Sequence, residues 1–249
     1  MTRVERDGDV AILRREEPRA NALSRATLAA LSKALYGLEL SDARAVVLTG
    51  RGRVFGAGLD LVEASGFDRA ELSSFVDAFE ALFLQLFALR LPVVAAVNGH
   101  ALAGGAVLAF ACDLRVLPAH DDAELALNEV ELGIPLPSAA LEIARFAIPP
   151  QHWTEAIALA RHYRPAEALA LGLAHARADD VVAAALERAR AIAALAPEAV
   201  QKVKRDLRYD ALTHARARAV ESRRLFVETM MGDEAKRRIG AAVARLKKP

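Results

Sequence analysis

The stretch that decides the fold is VNGHALAGG at residues 97–105, which ends on the pair Gly104-Gly105. It follows a strand-like apolar run at residues 92–97 and precedes a helix-like run. A glycine-rich junction between a strand and a helix leaves the first backbone N–H groups of the helix unpaired and uncrowded by side chains. Such groups can bind an anion. We call residues 97–105 the second glycine loop.

An earlier stretch, FGAGLD at residues 55–60, has the same arrangement, and we call it the first glycine loop. It comes after a compact apolar strand predicted at residues 43–49 and before a short helix that Asp60 is placed to cap. Two glycine junctions that face each other can hold one oxyanion from both sides. The pair therefore indicates chemistry on a carbonyl group whose oxygen gains negative charge.

The composition is that of a globular protein. With 249 residues, 54% hydrophobic and 26% charged, the chain can form one large domain or one domain with a small appendage. A net charge of +1 gives no overall attraction to nucleic acid or to a membrane surface. The longest apolar tract, at residues 91–117, is interrupted by Asn98, His100, Asp113 and Arg115, so we predict that it does not span a membrane.

The single cysteine and residues 1–6 indicate the cellular compartment in which we expect the protein. Cys112 is the only cysteine and lies in an apolar run, so an intramolecular disulfide is excluded and an inert core position is expected. Residues 1–6, MTRVER, are charged and lack the apolar core of a signal peptide. We therefore expect a cytoplasmic location. The six histidines show no metal-ligand spacing, so no metal is expected.

Strand-like and helix-like runs alternate through the first half of the chain. Strands are predicted at residues 10–13, 43–49, 92–97, 114–117 and 124–127, and helices after the cap Ser24, at residues 68–89 and from Gly104 to about Cys112. This alternation favours an α/β fold built from repeated crossover units. After Pro137 the sequence is almost entirely helical. We place the domain boundary between a core at residues 1–195 and a helical segment at residues 196–249.

Four stretches, in order, resemble the crotonase (enoyl-CoA hydratase/isomerase) superfamily. They are RANAL at residues 19–23, residues 46–61 around the first glycine loop, residues 96–113 around the second, and RPAEAL with the following Gly-Leu at residues 164–173. One of these stretches alone is a weak signal, whereas the ordered set is specific. The resemblance implies an α/β crotonase (ClpP-like) spiral of repeated ββα units with a C-terminal helical trimerisation segment.

The resemblance also implies a substrate and a site. The substrate would be an acyl-CoA thioester, with the backbone N–H groups of Leu59 and Gly104 as oxyanion donors. Because coenzyme A enters as part of the substrate, no separate cofactor is expected. The assembly would be a homotrimer or a dimer of trimers. The residues that the resemblance places beside the acyl-CoA are Arg19, Ala20, Ala22, Ala57, Gly58, Asp60, Leu61, Gly105 and Val107.

The number of carboxylates distinguishes the reactions of this superfamily. By the resemblance, a hydratase carries two glutamates, because water addition needs one group to activate water and one to protonate carbon. Here the first position is Val107, which cannot exchange a proton, and the second is Glu129 in LNEVELGI. One carboxylate fits a proton shuttle from C2 to C4 of a 3-enoyl-CoA. The stretches LNExxLGI, GLDL and AGGxxV are most similar to the mitochondrial-type Δ3,Δ2-enoyl-CoA isomerase branch.

Several alternatives stay open. Glu131 would point the same way as Glu129 if the segment were extended. The protein could be a hydratase or another crotonase-type acyl-CoA lyase in which Glu131 or Glu63 supplies the missing carboxylate. It could also be a non-catalytic acyl-CoA-binding or RNA-binding homologue, although the near-zero net charge and the absence of interleaved aromatic residues speak against RNA.

The C-terminal segment carries basic and apolar side chains. Contact with coenzyme A phosphates is one role for the basic residues, but a solvated helix face balanced by acidic residues is favoured for most of them. Leu225, Phe226 and the Met230-Met231 pair form an apolar stripe that we expect to dock, in line with the implied trimer. The basic residues are Lys202, Lys204, Arg205, Arg208, Arg216, Arg218, Arg223 and Arg224.

Overall fold

The protein is built on a six-stranded sheet beside a small three-stranded sheet. In the computed structural model, residues 1–246 are described, except for the side chains of Pro18, Arg19 and Leu246. The order of the large sheet is β1-β2-β3-β5-β7-β9, and only β1 and β2 pair antiparallel. Its strands are β1 (Thr2–Asp7), β2 (Val10–Arg15), β3 (Ala45–Thr49), β5 (Val93–Ala96), β7 (Leu114–Pro118) and β9 (Ala176–Ala178).

The strands of the small sheet belong to repeated units of two strands and a helix. Its parallel strands are β4 (Val54–Gly56), β6 (His100–Leu102) and β8 (Leu125–Ala126). Each of β3, β5 and β7 is followed by one strand of the small sheet and then by a helix, so the chain winds through successive ββα units as expected. The glycine loops lie where β4 and β6 give way to the next helix.

Helices cover both faces of the large sheet. They are α1 (Pro18–Asn21), α2 (Arg25–Glu39), α3 (Leu61–Ala64), α4 (Arg69–Ala88), α5 (Gly104–Ala111), α6 (Ser138–Ala147), α7 (Pro165–Ala170), α8 (Val181–Ala193), α9 (Pro197–Met230) and α10 (Asp233–Leu246). A 3-10 helix spans Glu129–Leu132, another spans Pro150–His152, and a π-helical turn spans Thr154–Ala158. No helix in this described part of the chain is long and apolar enough to cross a membrane.

Alternate residues of the central strands face two different cores. Ala45 and Val47 of β3 pack with α8, whereas Val46 and Leu48 belong to the larger core that contains α2, α4, α5 and α6. Strands that are buried on both faces have the continuous apolar sequences seen here. The predicted cap Ser24 is confirmed, since it forms a capping box at the start of α2. Asp68 forms a second capping box at the start of α4.

Some sequence expectations need correction. Strands β1, β4, β6 and β9 were not predicted, and β9 interrupts a region that we expected to be almost entirely helical. The last three are each three residues long, which is too short for a periodic signal. Cys112 lies in the core as expected, and burial raises the pKa of its thiol to about 12.

Two of the basic residues on α9 do not lie on a solvated face. Lys204 and Arg208 are buried, and each donates a 2.8 Å hydrogen bond to the carboxylate of Asp113. Phe226 and Met230 are also buried, in a cluster with Val76 of α4. Those apolar residues therefore dock α9 and α10 on their own chain.

Candidate active site

A cavity of about 680 Å³ lies where the two glycine loops meet the 3-10 helix that begins at Glu129. Its wall combines backbone from the loops with apolar side chains of α4 and α9. The lining residues are Ala20, Ala22, Ala57, Leu59, Asp60, Leu61, Val62, Phe75, Val76, Phe79, Leu102, Ala103, Gly104, Asn128, Glu129, Glu131, Leu132, Ile134, Pro137, Phe226, Ala242 and Arg245.

The backbone N–H of Leu59 points away from Leu23, the residue with which Leu59 pairs. Leu23 and Leu59 pair as in a parallel sheet: the Leu23 N–H donates to Gly58 O at 2.7 Å, and the Asp60 N–H donates to Leu23 O at 3.1 Å. In parallel pairing the N–H of the residue between those two bonds points to the opposite side. Among residues 1–246 no acceptor receives the Leu59 N–H.

The side chain of Asp60 fixes the same loop from its other end. It accepts hydrogen bonds from the backbone N–H groups of Val62 and Glu63, at 3.1 and 3.2 Å. This is the predicted N-cap of α3. The cap holds the chain that directly follows Leu59.

The backbone N–H of Gly104 lies at the start of α5. Ala103 before it has φ +48° and ψ −126°, a conformation that residues with a β-carbon rarely adopt and that marks strain at a functional loop. Ala103 is held on both sides, because its N–H donates to Ala126 O and its carbonyl accepts from Val107 N. The Gly104 N–H donates to no acceptor within the described residues, and Gly104 lines the cavity.

Only glycine allows the two loops to approach this closely. A β-carbon on Gly105 would lie 2.0 Å from the carbonyl oxygen of Gly56, and one on Gly56 would lie 2.9 Å from the Cα of Gly105. Both contacts are shorter than real side chains show. The glycines therefore place two unpaired N–H groups, from Leu59 and Gly104, on the wall of one cavity. Together they can hold a single carbonyl oxygen.

Glu129 is a buried acid of the cavity that makes no cap. It is 6% exposed and begins the 3-10 helix, which ends at Leu132 and is followed by the cap residue Gly133 with φ +72°. Its Oε2 atom is buried and has no hydrogen-bond partner among the described residues. Burial raises the pKa of Glu129 to about 7, and a hydrogen bond from its own backbone lowers it only in part. A carboxyl group with this pKa can take up and release a proton near neutral pH.

Glu131 does not point the same way as Glu129, because the segment is a 3-10 turn and not an extended strand. Its side chain is half-exposed at the cavity rim. The carboxylate accepts a hydrogen bond from Asn128 at 3.2 Å, and His162 contacts it with Nε2 at 3.2 Å. Glu131 thus connects the 3-10 turn to the segment that contains His162.

The structure brings most of the predicted site residues together. Ala20, Ala22, Ala57, Leu59, Asp60, Leu61, Gly104 and Glu129 all line the cavity. Gly58 and Gly105 lie behind the wall, where the loops touch. Val107 packs in the core and is not part of the lining. The side chain of Arg19 lies outside the described residues.

Sequence reasoning missed the contribution of the last two helices. Phe226 of α9 and Ala242 and Arg245 of α10 line the cavity together with Phe75 and Phe79 of α4. Phe226 was assigned to a docking stripe, and no feature of the sequence pairs residues 242–245 with a site near residue 129. The three aromatic residues make part of the cavity wall apolar.

Residues 5–247 match the family model described as enoyl-CoA hydratase/isomerase. The chain therefore belongs to the enoyl-CoA hydratase/isomerase family. Among curated proteins it is similar to human mitochondrial enoyl-CoA delta isomerase 1, with 34% identity over 189 residues that cover 75% of this chain and 61% of the relative. A protein named probable enoyl-CoA hydratase from Bacillus subtilis is 35% identical over 190 residues, which cover 76% of this chain and 72% of that protein.

The solved structures confirm the fold. The crystal structure of human mitochondrial Δ3-Δ2-enoyl-CoA isomerase matches with a TM-score of 0.94 and 30% identity, over 99% of this chain and 98% of that chain. The fold is thus the crotonase fold. In the sequence comparison, the chain spans about three fifths of the length of the human relative and of its rat counterpart.

Proposed function

We propose that this protein is an acyl-CoA double-bond isomerase that moves a double bond from C3 to C2 of an enoyl-CoA. The observation that carries the proposal is the buried carboxylate of Glu129, whose unpartnered Oε2 shares a cavity with the N–H groups of Leu59 and Gly104. Asp60, the other buried carboxylate of the lining, caps α3. The position after the second glycine loop is the apolar Val107, which cannot act as a second acid or base.

The two N–H groups would bind the thioester oxygen. They stabilise the negative charge that this oxygen gains when a proton leaves C2, and the N-terminus of α5 adds a favourable dipole. Removal of one such donor typically costs about 3–4 kcal/mol of transition-state stabilisation. A large part of the rate enhancement therefore depends on backbone geometry.

Glu129 would carry the proton. Its carboxylate takes a proton from C2, and the electron pair of the C2–H bond moves into the thioester as an enolate that is conjugated with the C3–C4 double bond. The protonated Glu129 then delivers the same proton to C4. The electrons return to the carbonyl and leave the double bond between C2 and C3, so that no water is added or lost.

Hydration is the second candidate function, and the position of Glu131 in the cavity lining is the observation that favours it. Its carboxylate also lines the cavity, and some of the relatives are named as hydratases. Two contacts argue against hydration. The hydrogen bond from Asn128 and the contact with His162 hold Glu131 at the exposed rim.

Two substrates separate the reactions. The purified protein is incubated with 3-hexenoyl-CoA and, separately, with crotonyl-CoA, and the absorbance of the conjugated enoyl thioester is followed. We expect a gain of absorbance with the first substrate and no loss with the second. Loss of absorbance from crotonyl-CoA that disappears in Glu131→Gln would support hydration instead. Unchanged acyl-CoA in both reactions, despite measurable binding, would indicate a non-catalytic binder.

We also propose assembly as a homotrimer or a dimer of trimers. Leu195 and, on α9, Val203 and Leu207 are more than half exposed and provide an apolar surface for a second copy. Sedimentation velocity tests this directly, and a monomer at micromolar concentration would contradict it.

A further inference from the structure

Arg15 is a buried cation that the proposed reaction does not use. It ends strand β2 and is 1% exposed. Among the described side chains, no carboxylate lies within ion-pair distance of it. Burial lowers the pKa of its guanidinium to about 10, and the charge of Glu17 offsets this only in part. A buried charge without a paired carboxylate is expensive, so an arginine at such a place needs an explanation beyond packing.

The hydrogen-bond acceptors of Arg15 are two backbone carbonyl groups beside the cavity. Nη2 donates to the Asn21 carbonyl at 2.7 Å, and Nη1 donates to the Phe55 carbonyl at 3.3 Å. Asn21 lies between Ala20 and Ala22, which line the cavity, and has φ +55°. Phe55 is the first residue of the first glycine loop. The planar guanidinium thus ties two separate walls of the cavity together.

The guanidinium also lies against the contact between the two glycine loops. A β-carbon on Gly56 would lie 3.2 Å from Nη1 of Arg15 and 2.9 Å from the Cα of Gly105. Leu59 follows Phe55 by four positions, and Gly104 directly precedes Gly105. A shift of the Phe55 carbonyl would therefore be transmitted to the N–H groups on both sides of the cavity.

We propose that Arg15 is a positioning residue of the oxyanion hole, which holds the Phe55 and Asn21 carbonyls so that the Leu59 N–H stays aimed at the thioester oxygen. The inference rests on the proposed function, since it assigns a role within that site. Arg14 provides a matched control. It precedes Arg15 on the same strand, and its side chain lies partly exposed beside Glu5 at 3.6 Å.

The test compares Arg15→Met, Arg15→Lys and Arg14→Met in the isomerisation of 3-hexenoyl-CoA. Small displacements of catalytic groups cost up to about 100-fold, so we expect kcat of Arg15→Met to fall by about 10- to 100-fold while KM changes less than about twofold. Arg15→Lys keeps the charge but has no planar fork to reach both carbonyls, and we expect a fall of about tenfold. Arg14→Met should retain the wild-type kcat.

A spectroscopic measurement separates positioning from a purely structural role. The carbonyl stretch of bound hexanoyl-CoA, labelled with carbon-13 at the thioester, is recorded by difference infrared spectroscopy. We expect the shift to low frequency, which reports hydrogen bonds to the carbonyl, to be reduced in both Arg15 variants and retained in Arg14→Met. A lower thermal midpoint with unchanged kcat and unchanged carbonyl shift would overturn the proposal.

The outcomes distinguish this inference from the function on which it rests. If Arg15→Met does not fold, Arg15→Lys decides, and a wild-type kcat in that variant overturns the proposal. A wild-type protein that binds hexanoyl-CoA but isomerises nothing contradicts the proposed function. In that case the infrared shift still decides whether Arg15 positions the N–H groups.

Discussion

A β-carbon on Gly58 would lie 2.9 Å from the backbone nitrogen of Gly104, the N–H that we assign to the oxyanion hole. It would also lie 2.7 Å from the β-carbon of Ala103. The two glycine loops therefore touch beside the N–H groups that must act together. Because Gly58 also has φ +79°, both its conformation and its surroundings require glycine.

The substitution Gly58→Ala should push the loops apart and reduce kcat by about 100-fold, close to the loss of one oxyanion donor. Gly52→Ala is the matched control. Gly52 has φ +66°, but nothing lies within 4 Å of its β-carbon position. Gly52→Ala should lose about 1 kcal/mol of stability from backbone strain. Gly58→Ala should lose more, because its β-carbon also meets Ala103 and Gly104, and only Gly58→Ala should lose activity. Equal activity of the two variants would contradict the assigned role of Gly58.

The substitution Glu129→Gln should abolish isomerisation, leave acyl-CoA binding in place and stabilise the fold at alkaline pH. The pKa of Glu129 is raised by burial to about 7, so the folded protein binds this proton more tightly than the unfolded chain does. Stability is then lost as the pH rises from the unfolded pKa through about 7 and stays constant above it. At about pH 8 the variant should be more stable by up to about 3 kcal/mol.

Urea denaturation at about pH 8 and about pH 4 measures this difference. Glu131→Gln is the control, because that side chain is half-exposed and its removal should change stability by less than about 0.5 kcal/mol. We expect the gain for Glu129→Gln to vanish at the acidic pH. A wild-type protein at least as stable as the variant at the alkaline pH would show that Glu129 is not held in an apolar environment.

The pH profile of kcat/KM should report the ionisation of the same group. Only the carboxylate form of Glu129 can take a proton from C2, so kcat/KM should fall tenfold per pH unit below about pH 7 and level off above it. The measurement uses 3-hexenoyl-CoA across the acid range. A profile that stays flat to about pH 5 would mean that another group is the base.

Removal of the Asp113 carboxylate should destabilise the fold without touching the site. Asp113 accepts hydrogen bonds from Lys204, Arg208 and the Val93 N–H, and both cations are buried. Asp113→Ala leaves two buried charges unpaired, which typically costs about 3–5 kcal/mol. Asp206→Ala, at an exposed pair with Arg205, should cost less than about 1 kcal/mol. Chemical denaturation of both variants tests this prediction, and an equal loss of the free energy of unfolding in the two variants would contradict it.

The elements that could be predicted from the sequence are those with local signals. The helix after Ser24 shows its cap and its apolar face within a few turns, and the fully buried strand Ala45–Thr49 shows a continuous apolar run. Strands such as β4 and β9 exist because a partner strand lies beside them in space. Three residues are too few to show the alternating hydrophobic pattern of a strand, so these strands could not be predicted.

The candidate site was predictable where backbone and short motifs define it. Glycine in both loops and the lone Glu129 point to an oxyanion hole with one acid. The walls contributed by Phe226 and Arg245 could not be predicted, because they come from helices far along the chain. The role of Arg15 was likewise hidden, since a basic residue at the end of a strand is more often exposed than buried.

The most direct test of the central claim follows the proton itself. 3-Hexenoyl-CoA that carries deuterium at C2 is converted by the wild-type enzyme, and the product is analysed by mass spectrometry and NMR. Transfer by Glu129 alone predicts 2-hexenoyl-CoA with part of the deuterium at C4 and no oxygen from solvent. A product without any deuterium at C4, or a 3-hydroxyacyl product that keeps the label at C2 because water has added across C3–C4, would contradict the account.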